Sequence, residues 1–85
     1  MESTDEIESQ DNYYFNTKGD GRVLGVFRLI ARPNGIHELR WTASGWEPYD
    51  DLIRRLITGD SDLDQVDVEI VRKITPYVDT SDYQN

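Results

Sequence analysis

One tetrapeptide constrains this chain more than any other: Arg32-Pro33-Asn34-Gly35, set between two runs rich in β-branched, aromatic and leucine residues. Proline presets φ for the second turn position and Asn-Gly tolerates left-handed backbone, so the flanking segments must turn back on each other as an antiparallel hairpin. Val23–Arg32 supplies one strand, with Arg28 on the same alternating face as Leu24, Val26 and Ile30, so that face is not uniformly dry. In residues 36–42, His37, Leu39 and Trp41 alternate with Ile36, Glu38 and Arg40, which assigns Leu39 and Trp41 to the core.

The pattern extends in both directions from this hairpin. Tyr13-Tyr14-Phe15 has the aromatic content of a first strand, and Lys18-Gly19-Asp20-Gly21 supplies the turn that leads into the second. Ala43-Ser44-Gly45 turns the chain again into a short fourth strand at Trp46-Glu47, which Pro48 stops. Helical spacing follows: Leu52, Ile53, Leu56 and Ile57 gather on one face, Arg54 and Arg55 lie off it, and Gly59 provides the terminator. Asp67 is placed to cap a second helix bearing Ile70, Val71 and Ile74, with Glu69 early and Arg72-Lys73 late, as the helix dipole favours. The expected fold is α+β, a three- to four-stranded antiparallel meander packed against two short helices.

Charge is segregated along the chain. Residues 1–12 hold five acids and no Lys or Arg, residues 76–85 hold two acids, and residues 13–75 hold ten acids with all nine basic residues. The domain, residues 13–75, is therefore close to neutral at −1, although the chain carries −8. Residues 1–12 offer too little apolar surface to offset ordering and read as a disordered acidic tail, and Pro76 opens a flexible C-terminal tail at 76–85, from which Tyr77 and Val78 can still reach the core.

Sixty-odd patterned residues bury only ~60% of their unfolded surface, which leaves one thin core, little room for a deep pocket, and no expectation of an enzyme. Without cysteine there are no disulfides, thiolate metal sites or cysteine nucleophiles, and a cytoplasmic location is expected. No apolar run suits a signal peptide or a membrane span. No cofactor is expected either. Asp60, Asp62 and Asp64 imitate the first half of a calcium loop, but Gln65 stands where the loop needs Gly and Val71 where it needs a bidentate Glu. His37, the only histidine, has no sequence-evident partner for acid–base work.

Two groupings remain. Asp60, Asp62, Asp64, Asp67 and Glu69 form a single-sign patch, with no Lys or Arg anywhere in residues 56–71. Such a run is commonly a solvated connection; its sharper reading is a docking patch for a basic partner. Trp41, Trp46, Tyr13, Tyr14 and Phe27 interleave with Arg22, Arg28, Arg32 and Arg40, a composition seen in RNA-binding sheets. Residues 18–55 carry seven basic and five acidic groups, however, too small a surplus for backbone binding, so core packing and local pairing are the expected use. An exposed Trp46 or Arg28 would instead mark a protein interface.

The order of features, namely an aromatic opening strand, a hairpin, Trp46-Glu47-Pro48, residues 52–56, Gly59-Asp60 and a capped helix at Asp67, resembles small uncharacterised proteins of actinobacteria and their phages. The similarity spans roughly residues 13–75. It implies a compact α+β module and transfers no catalytic residue.

The functional expectation is a non-enzymatic interaction module for a protein with a basic surface, with Asp60, Asp62, Asp64, Asp67, Glu69, Trp46 and Arg28 as its partner-binding residues. The alternative is an acidic inhibitor, of phage or mobile-element origin, that mimics nucleic acid. Direct nucleic-acid binding and membrane association are not expected, and the unpaired edges of a meander leave room for a homodimer.

Overall fold

The structure is a computed structural model that describes residues 10–59 and 62–83. Its strands are β1 (Gln10–Thr17), β2 (Val23–Arg32), β3 (Gly35–Thr42), β4 (Gly45–Pro48) and β5 (Leu63–Val66), with helices α1 (Leu52–Ile57) and α2 (Val68–Ile74). All five strands join one antiparallel sheet in the order β4-β3-β2-β1-β5. The α+β class stands, and the expected meander is present as β1 to β4. The strand number is corrected from three or four to five. After β4 the chain passes through α1 and returns to the opposite edge, where β5 pairs with β1 from Tyr13↔Val66 to Asn16↔Leu63.

The Pro33-Asn34 turn closes the central hairpin, with Arg32 paired to Gly35. Gly35 takes the positive φ of 149° that a side chain would resist, while Asn34 needs none. Between β1 and β2 the register slips: Asn16 faces Gly25 but Thr17 faces Val23, so Leu24 is the extra residue of a bulge. The slip moves Leu24 off the alternating face it was expected to share. It is exposed, and Val23 packs on the core in its place.

Both faces of the sheet are covered. On one, Tyr14 and Phe27 pack with Leu52 of α1, helped by Leu29, Tyr49, Leu56 and Leu63. Ile57, assigned to the same helical stripe, is 79% exposed, because a six-residue helix lays only one turn of apolar surface on the sheet. The N-terminus of α1 receives no capping bond from Asp51; instead the Ile53 N–H donates to Glu38 Oε1 at 2.9 Å, a cap supplied from β3. On the other face, Tyr13, Phe15 and Val26 pack with Val71 of α2 and with Val78 beyond it, flanked by Trp41, Trp46, Val66 and Val68. Asp67 does occupy the N-cap position of α2 with extended backbone, although its side chain makes no capping bond.

The described structure reaches beyond residues 13–75 at each end. The first strand starts at Gln10, three residues before the aromatic run. Residues 1–9 of the expected N-terminal tail lie outside the described residues, as do 84 and 85. After Pro76, Val78 is buried, and residues 79–83 run across the sheet under a series of side-chain donors. Tyr13 OH donates to the Thr80 carbonyl (3.4 Å), Trp46 Nε1 to that of Asp79 (2.7 Å), Arg28 Nη2 to that of Ser81 (2.8 Å) and Arg32 Nη2 to that of Tyr83 (2.8 Å). This segment is a strap tied to the domain through its own backbone.

Candidate protein-interaction surface

The expected partner-binding residues separate into two places. Asp64 is exposed on β5 with exposed Asp62 just before it, Asp67 is exposed at the N-cap of α2, and Glu69 is exposed in the first turn of that helix. These four gather where an edge strand feeds a helix. Asp60 lies outside the described residues. Trp46 and Arg28 sit elsewhere, Trp46 on β4 at the opposite edge and Arg28 on the central strand β2.

Arg28 is not an exposed anchor, which corrects that expectation. It is 1% exposed, on the face covered by α2 and the strap. Its Nε and Nη2 donate to Asp11 Oδ1 and Oδ2 at 2.8 and 2.6 Å, the bidentate geometry that suits a guanidinium and a carboxylate. Its guanidinium carbon stands 5.0 Å from the Tyr13 ring centre and 5.4 Å from that of Trp46. Burial works against the charge, but the bonds and charge of Asp11 outweigh it, and the pKa of Arg28 is raised. Asp11 is positioned for this because it lies two residues before Tyr13 on the same face of β1 as the strand partner of Arg28. Trp46 is half-buried, edge-on to Trp41 at 5.2 Å between ring centres.

The remaining arginines are also committed within the chain. Arg22 pairs with Asp20 and Arg54 with Asp51, at 2.9 and 2.7 Å. Arg32 holds the Tyr83 carbonyl, and Arg72 Nε donates to Thr80 Oγ1 at 3.0 Å. Arg40 lies over the Tyr49 ring, while Arg55 lies over Phe27 and donates to the Tyr49 hydroxyl. Every arginine thus has an internal role. The acids at the β5–α2 corner contrast with this: among the described residues, Asp64, Asp67 and Glu69 take part in no ion pair. Beside them α2 leaves Ile70 and Ile74 exposed, one turn apart, with exposed Tyr77 just beyond the helix. The same helix is thus acidic at its start and apolar on its outer side.

Two open cavities lie among the described residues. The larger, about 300 Å³, is lined by Arg28, Trp46, Asp79, Ser81, Asp82 and Tyr83. A smaller one of about 150 Å³ lies between β3, Pro48 and Tyr83 and includes His37. Among the described residues, no group of three or more His, Cys, Asp or Glu side chains is arranged to hold a metal, and no helix is long and apolar enough to cross a membrane.

Sequence reasoning missed Asp11 and the strap. A signal existed for Asp11: an arginine in an apolar strand requires a nearby carboxylate, and Asp11 is the acid that strand alternation places on the right face. Main-chain carbonyls, which hold the strap, leave no such trace in sequence. Comparison of the chain with protein-family models, curated proteins and solved structures finds no match.

Proposed function

We propose that this chain is a non-enzymatic interaction module that docks a protein with a basic surface at the β5–α2 corner. One observation carries the reading: all seven arginines are used inside the chain, whereas Asp64, Asp67 and Glu69 have no ion-pair partner among the described residues and border the exposed Ile70, Ile74 and Tyr77. An apolar stripe gives a partner area to bury, and an uncompensated acidic rim selects partners of opposite charge and raises the association rate. The same accounting argues against nucleic acid on the sheet, because both faces are covered and the arginines are occupied.

The test is capture of a binding protein by the immobilised full chain from an extract of its source cells, with the triple reversal D64K/D67K/E69K and the apolar variant I70S/I74S in parallel. Binding of one basic protein that both variants lose, and that weakens steeply with salt, is the expected result. Equal capture by wild type and both variants overturns the proposal. Displacement of DNA from the captured protein would identify its basic surface as one that normally holds a phosphate backbone.

A further inference from the structure

The two edges of the sheet are protected in different ways. Main-chain groups along an antiparallel strand point alternately to one side and the other. The Thr17 N–H donates to the Asp62 carbonyl at 3.1 Å, so the main-chain groups of Asp64 and Val66 also face β1, while those of Leu63 and Gln65 face outward. Among the described residues nothing bonds to these outward groups. At the opposite edge the Tyr49 N–H donates to the Glu38 carbonyl, and the same alternation turns Trp46 and Pro48 outward. Pro48 has no N–H to offer, so a further strand cannot run along β4.

The β5 edge has no proline and is guarded by charge instead. Asp64 and Val66 share the α2 face of the sheet with their strand partners Phe15 and Tyr13, and Thr17 Oγ1 donates to Asp64 Oδ2 at 3.4 Å. A second copy that paired antiparallel through both Leu63 and Gln65 would set Asp64 directly opposite its own counterpart. That position is not hydrogen-bonded, so the two side chains would stand as close as strand geometry brings them, and like charges there are destabilising. Exposed Asp67 and Glu69 beside it add to the repulsion. Such a guard is selective. It turns away a copy of this acidic chain but attracts a basic segment, and the N–H and C=O groups of Leu63 and Gln65 can bond to any extended main chain.

We infer that the β5 edge receives an extended segment of the basic partner as a sixth, antiparallel strand. Its main chain bonds to Leu63 and Gln65, a lysine or arginine lies opposite Asp64, and an apolar side chain two positions away lies opposite half-buried Val66. The inference rests on the proposed docking at the β5–α2 corner and names the part of the partner that is recognised there. Main-chain bonds hold the segment and its alternate side chains select it.

NMR titration of the full chain with three capped peptides tests it. The first, threonine-valine-threonine-lysine-threonine, sets its lysine opposite Asp64; the second has glutamate for lysine; the third is the first with N-methyl groups on the two threonines that face Gln65 and Leu63. The lysine peptide is expected to shift the Leu63 and Gln65 amide protons downfield saturably and to slow their exchange, while that of Asp64, already bonded to β1, stays nearly in place. The glutamate peptide is expected to bind about two- to tenfold more weakly, and the N-methyl peptide to give no saturable shift. Gln65→Pro removes an N–H that the β1–β5 ladder does not use, and is expected to abolish binding with the rest of the spectrum unchanged. Asp64→Lys, which keeps that N–H, is expected to make the glutamate peptide the better ligand. Equal binding of the lysine and glutamate peptides, binding that survives N-methylation or Q65P, or no saturable shift would each overturn the edge site. If D64K/D67K/E69K loses the captured protein while exchange at Leu63 and Gln65 is unchanged in the wild-type complex, the docking surface stands and the added strand falls. Saturable binding of the lysine peptide by a chain that captures no basic protein supports the edge site and removes the docking surface.

Discussion

Deleting the acid of the Arg28–Asp11 pair should destabilise the domain more than replacing the arginine, although Arg28 makes most of the contacts. The two members sit in different surroundings: the Arg28 side chain is 1% exposed and that of Asp11 37% exposed. Asp11→Ala leaves a guanidinium inside the protein with only the Ser81 carbonyl and two aromatic rings to hold it. Breaking a buried pair in this way costs about 3–5 kcal/mol, and solvent reaching the site past a half-exposed partner reduces this to about 2–4 kcal/mol. Arg28→Met leaves the carboxylate near water, keeps most of the volume between Tyr13 and Trp46, and removes the burial penalty of the charge. It forfeits the cation–π contacts and the Ser81 bond, so the net cost is expected at about 0–1.5 kcal/mol. In urea, where a small domain loses about 1 kcal/mol per M, the midpoint of D11A should fall about 2–4 M and that of R28M no more than about 1.5 M, at equal slope. The double variant closes the argument. On the R28M background, Asp11→Ala should cost less than about 0.5 kcal/mol, because no buried charge remains to be stranded. A midpoint for R28M at or below that of D11A, or additive costs in the double variant, would refute the reasoning.

Two further perturbations test other parts of the fold. Glu38→Ala removes the acceptor for the Ile53 N–H and should cost about 1 kcal/mol while speeding amide exchange in α1; Glu38→Gln, which keeps an acceptor, should recover most of it, as hydrogen exchange on both variants will show. Burial raises the pKa of the Tyr13 and Tyr14 phenols above the ordinary value of 10.0, so the folded state holds their protons more tightly than the unfolded chain. Their contribution to stability is complete below that value and is lost as pH rises through the higher folded pKa. Urea midpoints measured between about pH 9 and pH 11 should therefore decline, and Tyr14→Phe should flatten the decline.

The parts of the fold legible in the sequence are those whose signal is local. Pro33-Asn34-Gly35 had to turn, and alternation in β3 placed Leu39 in the core because one backbone period governs the whole strand. β5 was hidden for a definable reason. Its two apolar residues, Leu63 and Val66, are three apart and so point to opposite faces, one to each core cluster, leaving exposed Asp64 and Gln65 between them. No alternation exists to be read, and edge strands tolerate such polar residues because charge protects an edge from mispairing. Arg28 shows a different limit. Strand period gave its face correctly, but whether that face was wet depended on α2 and on a strap about 50 residues away. At the candidate surface, the clustering of Asp62, Asp64, Asp67 and Glu69 follows from adjacency in sequence. The lack of internal ion pairs for Asp64, Asp67 and Glu69 does not, since it required knowing where each arginine goes.

The strap also bears on how the acidic corner and the cavity relate. Residues 79–83 contribute four of the cavity's six lining residues, and they are held by donors from β1, β2 and β4 that contact main-chain carbonyls. Side-chain changes in the strap that leave those carbonyls in place should therefore alter the lining of the cavity without unfastening the segment. Val78 and the Arg28 network hold it from below, and α2, which carries Ile70 and Ile74 on its outer side, leads directly into it through Thr75 and Pro76. A partner seated on α2 is continuous along the chain with the wall of the cavity. Arg28, held charged by Asp11, pins the strap with Nη2. The buried charge is then retained for a reason that packing alone would not supply, since a methionine of similar volume would fill the same space between Tyr13 and Trp46 at little cost.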